Sequence, residues 1–175
     1  VPLMQKENKL STEYTKLVAS AKIMFEGEER TLAQLDPFTE SKDRETRKKA
    51  SEAKFAFFSE HGEEFDRIYD DLVKVRTEMA HKLGYSNFVE LAYYRMFRTD
   101  YDSSMVAAFR DQVHKYIVPV ASKLKERQKN RIGVGELKYY DEPFDFKTGN
   151  AAPKGSPEWI IENGQKMYDE LSPET

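Results

Sequence analysis

The three histidines of this sequence are its first candidates for metal chemistry. The stretch HGEEF (residues 61–65) places His61 ahead of two carboxylates. A helical zinc site of the H-E-x-x-H type needs a second histidine four positions later, so that both imidazoles face one ion. Phe65 occupies that position, and Gly62 stands where the glutamate should be. The motif is therefore absent, and His61 is expected to lie at a helix end.

Two other pairs have the spacing of ligands in di-metal helical bundles, which use Glu-x-x-His on facing helices. They are Glu78 with His81, and Asp111 with His114, an aspartate analogue. At about 100° per residue, these side chains point away from the apolar stripes of their own helices. Solvated or inter-helix polar contacts are therefore expected instead of a metal site. We assign no catalytic residue and no metal ligand to this sequence.

The remaining charged and glycine-rich clusters have simpler explanations than ligand binding. Adjacent carboxylates such as Glu63 and Glu64 diverge by about 100° on a helix, which favours a solvated face. The basic run from Lys123 to Arg131 is interrupted by an acidic residue and lacks aromatic residues on which bases could stack. The segment GNAAPKGSP lacks both the spacing and the Lys-Ser/Thr of a phosphate loop. None of these clusters supports catalysis on its own.

Tyr139, Tyr140 and Asp141 form the polar cluster with the most potential for peptide binding. Tyrosines on a short extended segment between loops can offer their hydroxyl groups to a peptide. The alternative, which residue statistics favour, is that one ring packs in the core and the other is exposed to solvent.

Composition indicates a folded protein without a strong electrostatic field. Aromatic residues make up 13% of the 175 residues, which argues against disorder. The net charge of −3 is too small to attract nucleic acid or an anionic membrane. The absence of cysteine excludes disulfides, thiolate metal sites and a cysteine nucleophile. With no apolar run near the roughly 18 residues of a membrane span and no signal-peptide pattern, we predict a cytoplasmic protein with no nucleic-acid or membrane partner.

Hydrophobic periodicity predicts a mainly α fold with one short β-hairpin and a short extended segment. A helix over residues 4–21 is followed by the hairpin at residues 23–32. Ser41 or Asp43 is expected to cap a second long helix, which ends near Glu60.

An apolar stripe predicts the next helix, which Gly84 closes. Its residues are Phe65, Ile68, Leu72, Val75 and Met79. Ser86 or Asn87 is expected to cap the helix that follows.

The last third of the chain is predicted to contain a long helix, a loop-rich segment and a final helix. Pro119 should bend or break the long helix, which ends before Gly133. In LKYYDEPF (residues 137–144), apolar and polar residues alternate as they do in an extended segment. Ser156 and the residues PE that follow it start the final helix. The predicted buried side of that helix contains Trp159, Ile160, Met167 and Leu171.

We treat residues 1–175 as a single helical region with three parts. Residues 1–40 contain the first helix and the hairpin, residues 41–135 form the helical core, and residues 136–175 contain the loop-rich segment and the final helix.

Five stretches in this order carry a family resemblance. They are IMFEGEERTLAQLDP, SKDRETRKKASEA, IYDDLVKVRTEMAHKLGYSNFVELAYYRMFRTDY, LKYYDEPF and GNAAPKGSPEWIIENGQKMYDELSPE. They resemble the oligoendopeptidase F family of zinc metallopeptidases, in the wider group that includes thimet oligopeptidase. The resemblance spans nearly the whole chain. It implies the helical region that precedes the catalytic half of a longer peptidase, which encloses short peptides in a channel between helical lobes.

The resemblance also implies where the chemistry lies. That family binds zinc through an H-E-x-x-H motif and a distal glutamate, and nothing in this sequence matches them. Zinc is therefore expected in the full-length parent, on residues beyond Thr175, and this chain alone is expected to be inactive. The chain would form part of the channel wall, with short peptides and the missing catalytic half as partners. Tyr139, Tyr140 and Asp141 are the predicted substrate-binding residues.

A free-standing helical protein-interaction module is the alternative. Such a module would bind a partner through an exposed apolar face, and the purified chain would be monodisperse and bury its stripes by itself. A separated lobe would instead expose apolar surface where the missing half docks.

Overall fold

The computed structural model describes residues 1–172, which are mainly α-helical. The helices are α1 (Pro2–Ala19), α2 (Asp36–Thr39), α3 (Arg44–Glu60), α4 (Gly62–Lys82), α5 (Phe88–Arg95), α6 (Ser103–Gln112), α7 (Val118–Ile132) and α8 (Pro157–Leu171). The strands β1 (Ile23–Phe25) and β2 (Glu28–Arg30) pair in an antiparallel hairpin. The prediction of a mainly α fold with one hairpin is confirmed. Residues 173–175, the end of the predicted third part, lie outside the described residues.

The hairpin packs against α3 through its apolar face. Its turn residues Glu26 and Gly27 both have positive φ values, of 51° and 82°, as the tight turns of two-residue hairpin loops require. Phe25, at the end of β1, is buried in a cluster with Leu35 and with Ala50 of α3. The hairpin is therefore attached to the helical part of the chain by burial of apolar side chains.

Helices α1 and α4 pack along each other and bury the predicted stripe of α4. Ile68, Val75 and Met79 are buried, facing a side of α1 on which Leu10 and Leu17 are buried. Each fully buried side chain of this kind contributes roughly 1.5–3 kcal/mol to stability. The two other members of the stripe, at positions 65 and 72, are half-buried at its edge.

Local capping chemistry sets the starts of three helices, as predicted. The side chain of Asp43 accepts a hydrogen bond from the Thr46 amide at 2.8 Å at the start of α3. Asn87 caps α5 by accepting from the Val89 amide at 2.9 Å, and Ser156 caps α8. Without these side-chain acceptors, the first amides of each helix would lack partners.

His61 lies at the junction of α3 and α4, which confirms its predicted place at a helix end. Its ring packs 4.7 Å from the ring of Phe57, and its Nδ1 lies 3.7 Å from a carboxylate oxygen of Glu64. Helix α4 begins at Gly62, directly after this histidine. The stretch HGEEF is thus the corner between two helices.

The predicted disturbance near Pro119 takes the form of a π-helical turn. Residues Val113–Ile117 form this turn between α6 and α7, and the Val118 amide bonds to the Val113 carbonyl. Proline has no amide hydrogen to donate to the carbonyl four residues earlier, which disturbs the regular helical ladder. Helix α7 then ends at Ile132 and is capped by Gly133, whose φ of 77° places it in the left-handed region.

Two sequence predictions are wrong. Residues Tyr139–Asp141 form one turn of 3-10 helix instead of an extended segment, because the carboxylate of Asp141 accepts from the Lys138 amide and closes the turn. The predicted buried side of α8 is exposed, because no described element packs over it. Its four residues are Trp159, Ile160, Met167 and Leu171, and none is less than 43% exposed.

None of the helices within residues 1–172 combines the length and the apolar character that a membrane span requires.

Candidate functional site

Asp141 is a buried carboxylate that holds the tyrosine turn (Tyr139–Asp141) against α3. Arg44 donates to it through Nε at 3.0 Å and Nη2 at 2.7 Å, and Arg47 donates through Nη2 at 2.9 Å. The side chain of Asp141 is 0% exposed. Burial alone would raise the pKa of Asp141, but the hydrogen bonds from the two guanidinium groups outweigh it and lower the pKa to about 2. Asp141 is therefore ionised and acts as an anchor.

The start of α3 presents both arginines to this anchor. Arg44 and Arg47 are separated by three residues, so they share one face of the helix. Arg47 is 2% exposed and also donates to the carbonyl of Ser41 at 2.8 Å. Its guanidinium lies 4.2 Å from the ring centroid of the buried Phe144, a cation–π contact.

The segment that follows the tyrosine turn is attached to α7. The buried Gln128 of α7 donates through Nε2 to the carbonyls of Glu142 at 2.9 Å and Phe144 at 3.0 Å. Arg131 donates to the carbonyl of Asp145 at 2.5 Å. Residues 138–145 therefore connect the beginning of α3 to the end of α7, and Asp141 is the charged end of that connection.

The two tyrosines of the turn belong to an exposed aromatic platform, which consists of Phe55, Tyr139 and Tyr140. Phe55 is 59% exposed and Tyr139 is 52% exposed, whereas Tyr140 is half-buried. The ring centroids of Phe55 and Tyr139 are 5.7 Å apart, and those of the two tyrosines are 5.2 Å apart. Exposed aromatic rings held on a fixed backbone offer a surface for a partner.

Sequence reasoning missed Phe55 and the two arginines. Phe55 follows Arg44 by three helical turns, or about 11 residues, so the two residues lie on the same face of α3. From that spacing, Phe55 could have been predicted to lie on the same side of α3 as the arginine that binds the tyrosine turn. The predicted peptide contacts of Tyr139, Tyr140 and Asp141 stay a prediction. Asp141 is buried against two arginines, where its carboxylate holds the turn in place.

A second buried carboxylate, that of Glu7, links α1 to α4 and α5. Glu7 of α1 is 4% exposed and accepts from Arg76 of α4 at 2.8 Å. Arg95 of α5 donates to both oxygens of Glu7, at 3.1 and 2.9 Å. Burial raises the pKa of Glu7, but the hydrogen bonds from Arg95 and Arg76 outweigh it and lower the pKa. Both guanidinium groups lie 5.7 Å from the ring centroid of Phe88.

We expect the free energy of unfolding to fall in acid, because these two carboxylates become protonated. Because the folded-state pKa values of Asp141 and Glu7 are lowered, their stabilisation is fully present above the unfolded pKa, near 4, and is lost as the pH falls through the folded pKa, which is about 2 for Asp141. For Asp141 the loss is on the order of 2 kcal/mol. Urea unfolding at pH 7, 4 and 2.5 measures it. In the Asp141→Asn variant the fall between pH 4 and 2.5 should be smaller, and an unchanged fall would contradict this assignment.

The two members of the Glu78–His81 pair bind other residues. The Nε2 of His81 lies 3.1 Å from the Ser86 carbonyl oxygen, and Glu78 pairs with Lys82 at 3.0 Å. Within residues 1–172, no three His, Cys, Asp or Glu side chains are grouped so that they could hold a metal ion. The described part of the chain therefore does not supply a donor set that fits zinc.

The last third of the described chain has two exposed apolar faces. The face of α6, the π turn and α7 contains Met105, Phe109, Tyr116, Ile117, Val120 and Leu124. The face of α8 contains Ile160, Met167, Tyr168 and Leu171. All of these side chains are at least 43% exposed. Contiguous exposed apolar surface of this kind marks an interaction site.

Comparisons with known proteins agree on one family. The model of peptidase family M3 matches residues 37–151. The fold is similar to a solved structure of Pz peptidase A with an inhibitor, at 70% identity and a TM-score of 0.94. It is also similar to two structures named oligoendopeptidase F, at 63% identity with a TM-score of 0.94, and at 60% with a TM-score of 0.90. The latter comes from Bacillus anthracis str. Ames. No curated protein sequence matches the chain.

The comparisons also show how much of each related protein this chain represents. The matches cover 99%, 99% and 98% of the chain, but only 31% of each of the three related chains. More than two thirds of each related chain therefore lies outside the matched region.

Proposed function

Because the chain belongs to peptidase family M3, we propose that it is one helical region of a longer oligoendopeptidase F-like zinc metallopeptidase that hydrolyses short peptides. The observation that carries this proposal is the match of nearly the whole chain, at 60–70% identity, to 31% of proteins named as peptidases. Residues 1–175 would form a single region of a cytoplasmic enzyme.

In this proposal the region is a wall of the substrate channel and the catalytic half packs against it. The exposed faces of α6–α7 and α8 support this role, since both consist of large apolar side chains that no described element covers. A free-standing interaction module would also bind its partner through an exposed apolar face, so the exposed stripe of α8 is compatible with both interpretations. The match of nearly the whole chain to 31% of each longer related chain favours the peptidase region over the module.

Zinc and its ligands would come from polypeptide outside these 175 residues. The described side chains do not fit a zinc ion, so this region has no assigned step in bond cleavage. Its own contribution would be to exclude water from the channel and to limit the length of the peptide that enters.

The aromatic platform is the proposed peptide contact within this wall. Tyr139 and Tyr140 have hydroxyl groups that can bond to a peptide backbone, and Phe55 supplies an apolar surface beside them. Asp141 would act on the peptide only through the position of the turn, because its oxygens are occupied by Arg44 and Arg47. Short peptides are therefore the proposed ligands of this surface.

Peptide hydrolysis by the longer polypeptide is the test. We expect the polypeptide that carries this segment to cleave a fluorogenic short peptide, to lose activity with a metal chelator, and to regain it with zinc. We expect the 175-residue chain alone to show no chelator-sensitive cleavage, because residues 1–172 bring no three metal-binding side chains together. Cleavage by the isolated chain that a chelator abolishes would overturn the proposal, as would an inactive longer polypeptide.

The same assay tests the platform. Replacement of Tyr139 and Tyr140 by alanine in the longer polypeptide should raise KM several-fold with a smaller change in kcat, as the loss of substrate contacts does. A matched replacement of Tyr14, an exposed tyrosine of α1 far along the chain from the turn, should leave both constants unchanged. Equal effects of the two changes would contradict peptide binding at the platform.

A further inference from the structure

Arg44 lies at one end of the aromatic platform. The carbon at the centre of its guanidinium is 5.3 Å from the ring centroid of Tyr140. From that ring the platform continues to Tyr139 and then to Phe55, in steps of 5.2 and 5.7 Å between ring centroids. A peptide on the platform would therefore meet a cation next to the aromatic rings.

Hydrogen bonds hold the guanidinium of Arg44 in place and leave one of its nitrogens free. Its Nε and Nη2 donate to the carboxylate of Asp141, and Nη2 also donates to the carbonyl of Glu136 at 3.1 Å. Within residues 1–172 its Nη1 has no acceptor, and the side chain is 40% exposed. Because the other nitrogens already fix the group, binding a ligand through Nη1 costs little further conformational freedom.

The charges beneath the platform are not balanced. Arg44 and Arg47 both pair with the single carboxylate of Asp141. The side chain of Arg47 is 2% exposed, and within residues 1–172 it makes no ion pair with another carboxylate. Two guanidinium groups on one carboxylate leave one surplus positive charge in a partly buried cluster, where an anion is favoured more strongly than in water.

The other carboxylates near this cluster do not compensate the surplus charge. Asp43 accepts from the amide and the hydroxyl group of Thr46, and Glu136 pairs with Lys138 at 2.6 Å. Glu45 is exposed and forms no ion pair with either arginine. The surplus charge is therefore open to an external anion where the half-exposed arginine reaches the surface.

We propose that Arg44 binds a carboxylate of the peptide through Nη1, while the apolar side chain next to that carboxylate packs on Tyr140 and Tyr139. This inference rests on the proposed function, because its ligand is the short peptide assigned to the platform. A guanidinium suits a carboxylate in both charge and geometry, whereas an amide would leave the surplus charge uncompensated. A C-terminal carboxylate and an aspartate side chain offer the same chemistry here.

Two labelled peptides that differ only at the C-terminus test a terminal carboxylate. A short peptide without acidic residues, labelled at its N-terminus and ending in phenylalanine, is prepared as the free acid and as the C-terminal amide. Fluorescence anisotropy with the longer polypeptide, in a metal chelator that prevents cleavage, gives the two dissociation constants. We expect the free acid to bind about tenfold more tightly, as one charge-assisted hydrogen bond contributes.

A second pair of peptides tests a side-chain carboxylate. Both are C-terminal amides, and the residue before the phenylalanine is aspartate in one and asparagine in the other. Tighter binding of the aspartate peptide, again by about tenfold, would place the bound carboxylate on a side chain.

Arg44→Gln should remove the preference for the carboxylate, since it removes the surplus charge but leaves Arg47 paired with Asp141. Arg44→Lys keeps a cation beside Asp141 but loses the planar guanidinium, so it should reduce the preference several-fold even if glutamine loosens the turn. Lys48→Gln is the matched control. Lys48 follows Arg44 by one helical turn and is 42% exposed, so its replacement should change the preference less than about twofold.

The outcomes separate this inference from the proposed function. A carboxylate preference in either pair of peptides that both changes of Arg44 weaken, and Lys48→Gln does not, supports the inference. Equal binding within both pairs overturns it, and so does a preference that both changes of Arg44 leave intact. Hydrolysis without the chelator is measured separately: cleavage of peptides without any carboxylate preference leaves the proposed function standing, whereas carboxylate binding at Arg44 without cleavage contradicts that function alone.

Discussion

The Asp141→Asn variant is expected to lower the free energy of unfolding of the 175-residue chain by about 3–5 kcal/mol, the usual effect of removing one partner from a buried ion pair. The side chains of Asp141 and Arg47 are 0% and 2% exposed, so the substitution leaves a buried guanidinium without its counter-ion. Asparagine keeps the size of the side chain, so the loss reports the missing charge together with the accepting oxygen that the amide nitrogen replaces. Urea unfolding at pH 7, followed by circular dichroism, measures it.

Asp145→Asn provides the matched control in the same loop. Asp145 lies 3.4 Å from Arg131, but its side chain is 53% exposed, so this ion pair is screened by solvent. Its replacement should change the unfolding free energy by less than about 1 kcal/mol. Similar losses in the two variants would show that the connection between α3 and α7 does not depend on the buried charge.

The parts of the fold that depend on neighbouring residues were predictable from the sequence. The caps Asp43, Asn87 and Ser156 act on amides two or three residues away, so the pattern of local side chains determines where α3, α5 and α8 begin. The buried stripe of α4 likewise follows from the helical period. These predictions need no knowledge of what lies across the fold.

The tyrosine turn could not be predicted in this way, because its geometry depends on distant residues. Asp141 is bound by arginines that are 97 and 94 positions earlier in the chain. The alternation of LKYYDEPF suggested an extended segment, whereas these long-range bonds and the Lys138 amide close a 3-10 turn. One signal was present: Arg44 and Arg47 lie in the first turn of a helix, where the helix dipole disfavours cations. Their position indicates an anionic partner elsewhere.

Helix α8 shows a different limit of sequence reasoning. The apolar period correctly predicted a helix with one apolar face, but a period does not reveal which element covers that face. No element among the described residues covers that face, so the predicted buried side of α8 is exposed. A hydrophobic pattern is thus evidence that a face is meant for burial, and the structure tells whether the given chain supplies the partner.

Glu7 joins three helices, α1, α4 and α5, and is expected to be the second most sensitive charged position. Its side chain is 6% exposed, but Arg76 and Arg95 are 38% and 40% exposed. Water can therefore stabilise the arginines after the carboxylate is removed, and the loss should be smaller than at Asp141.

Glu7→Gln should lower the unfolding free energy by about 2–3 kcal/mol, because it removes the negative charge that faces Arg76 and Arg95 and replaces one accepting oxygen by an amide nitrogen, which cannot accept a hydrogen bond. Glu13→Gln is the matched control: it lies on the same helix and also pairs with an arginine of α4, Arg67, but that pair is 37% and 48% exposed. The control should lose less than about 1 kcal/mol. Unfolding in urea at pH 7 compares the two variants. If Glu13→Gln destabilises the protein as much as Glu7→Gln does, the number of ion pairs on α1, and not the burial of Glu7, is what holds the three helices together.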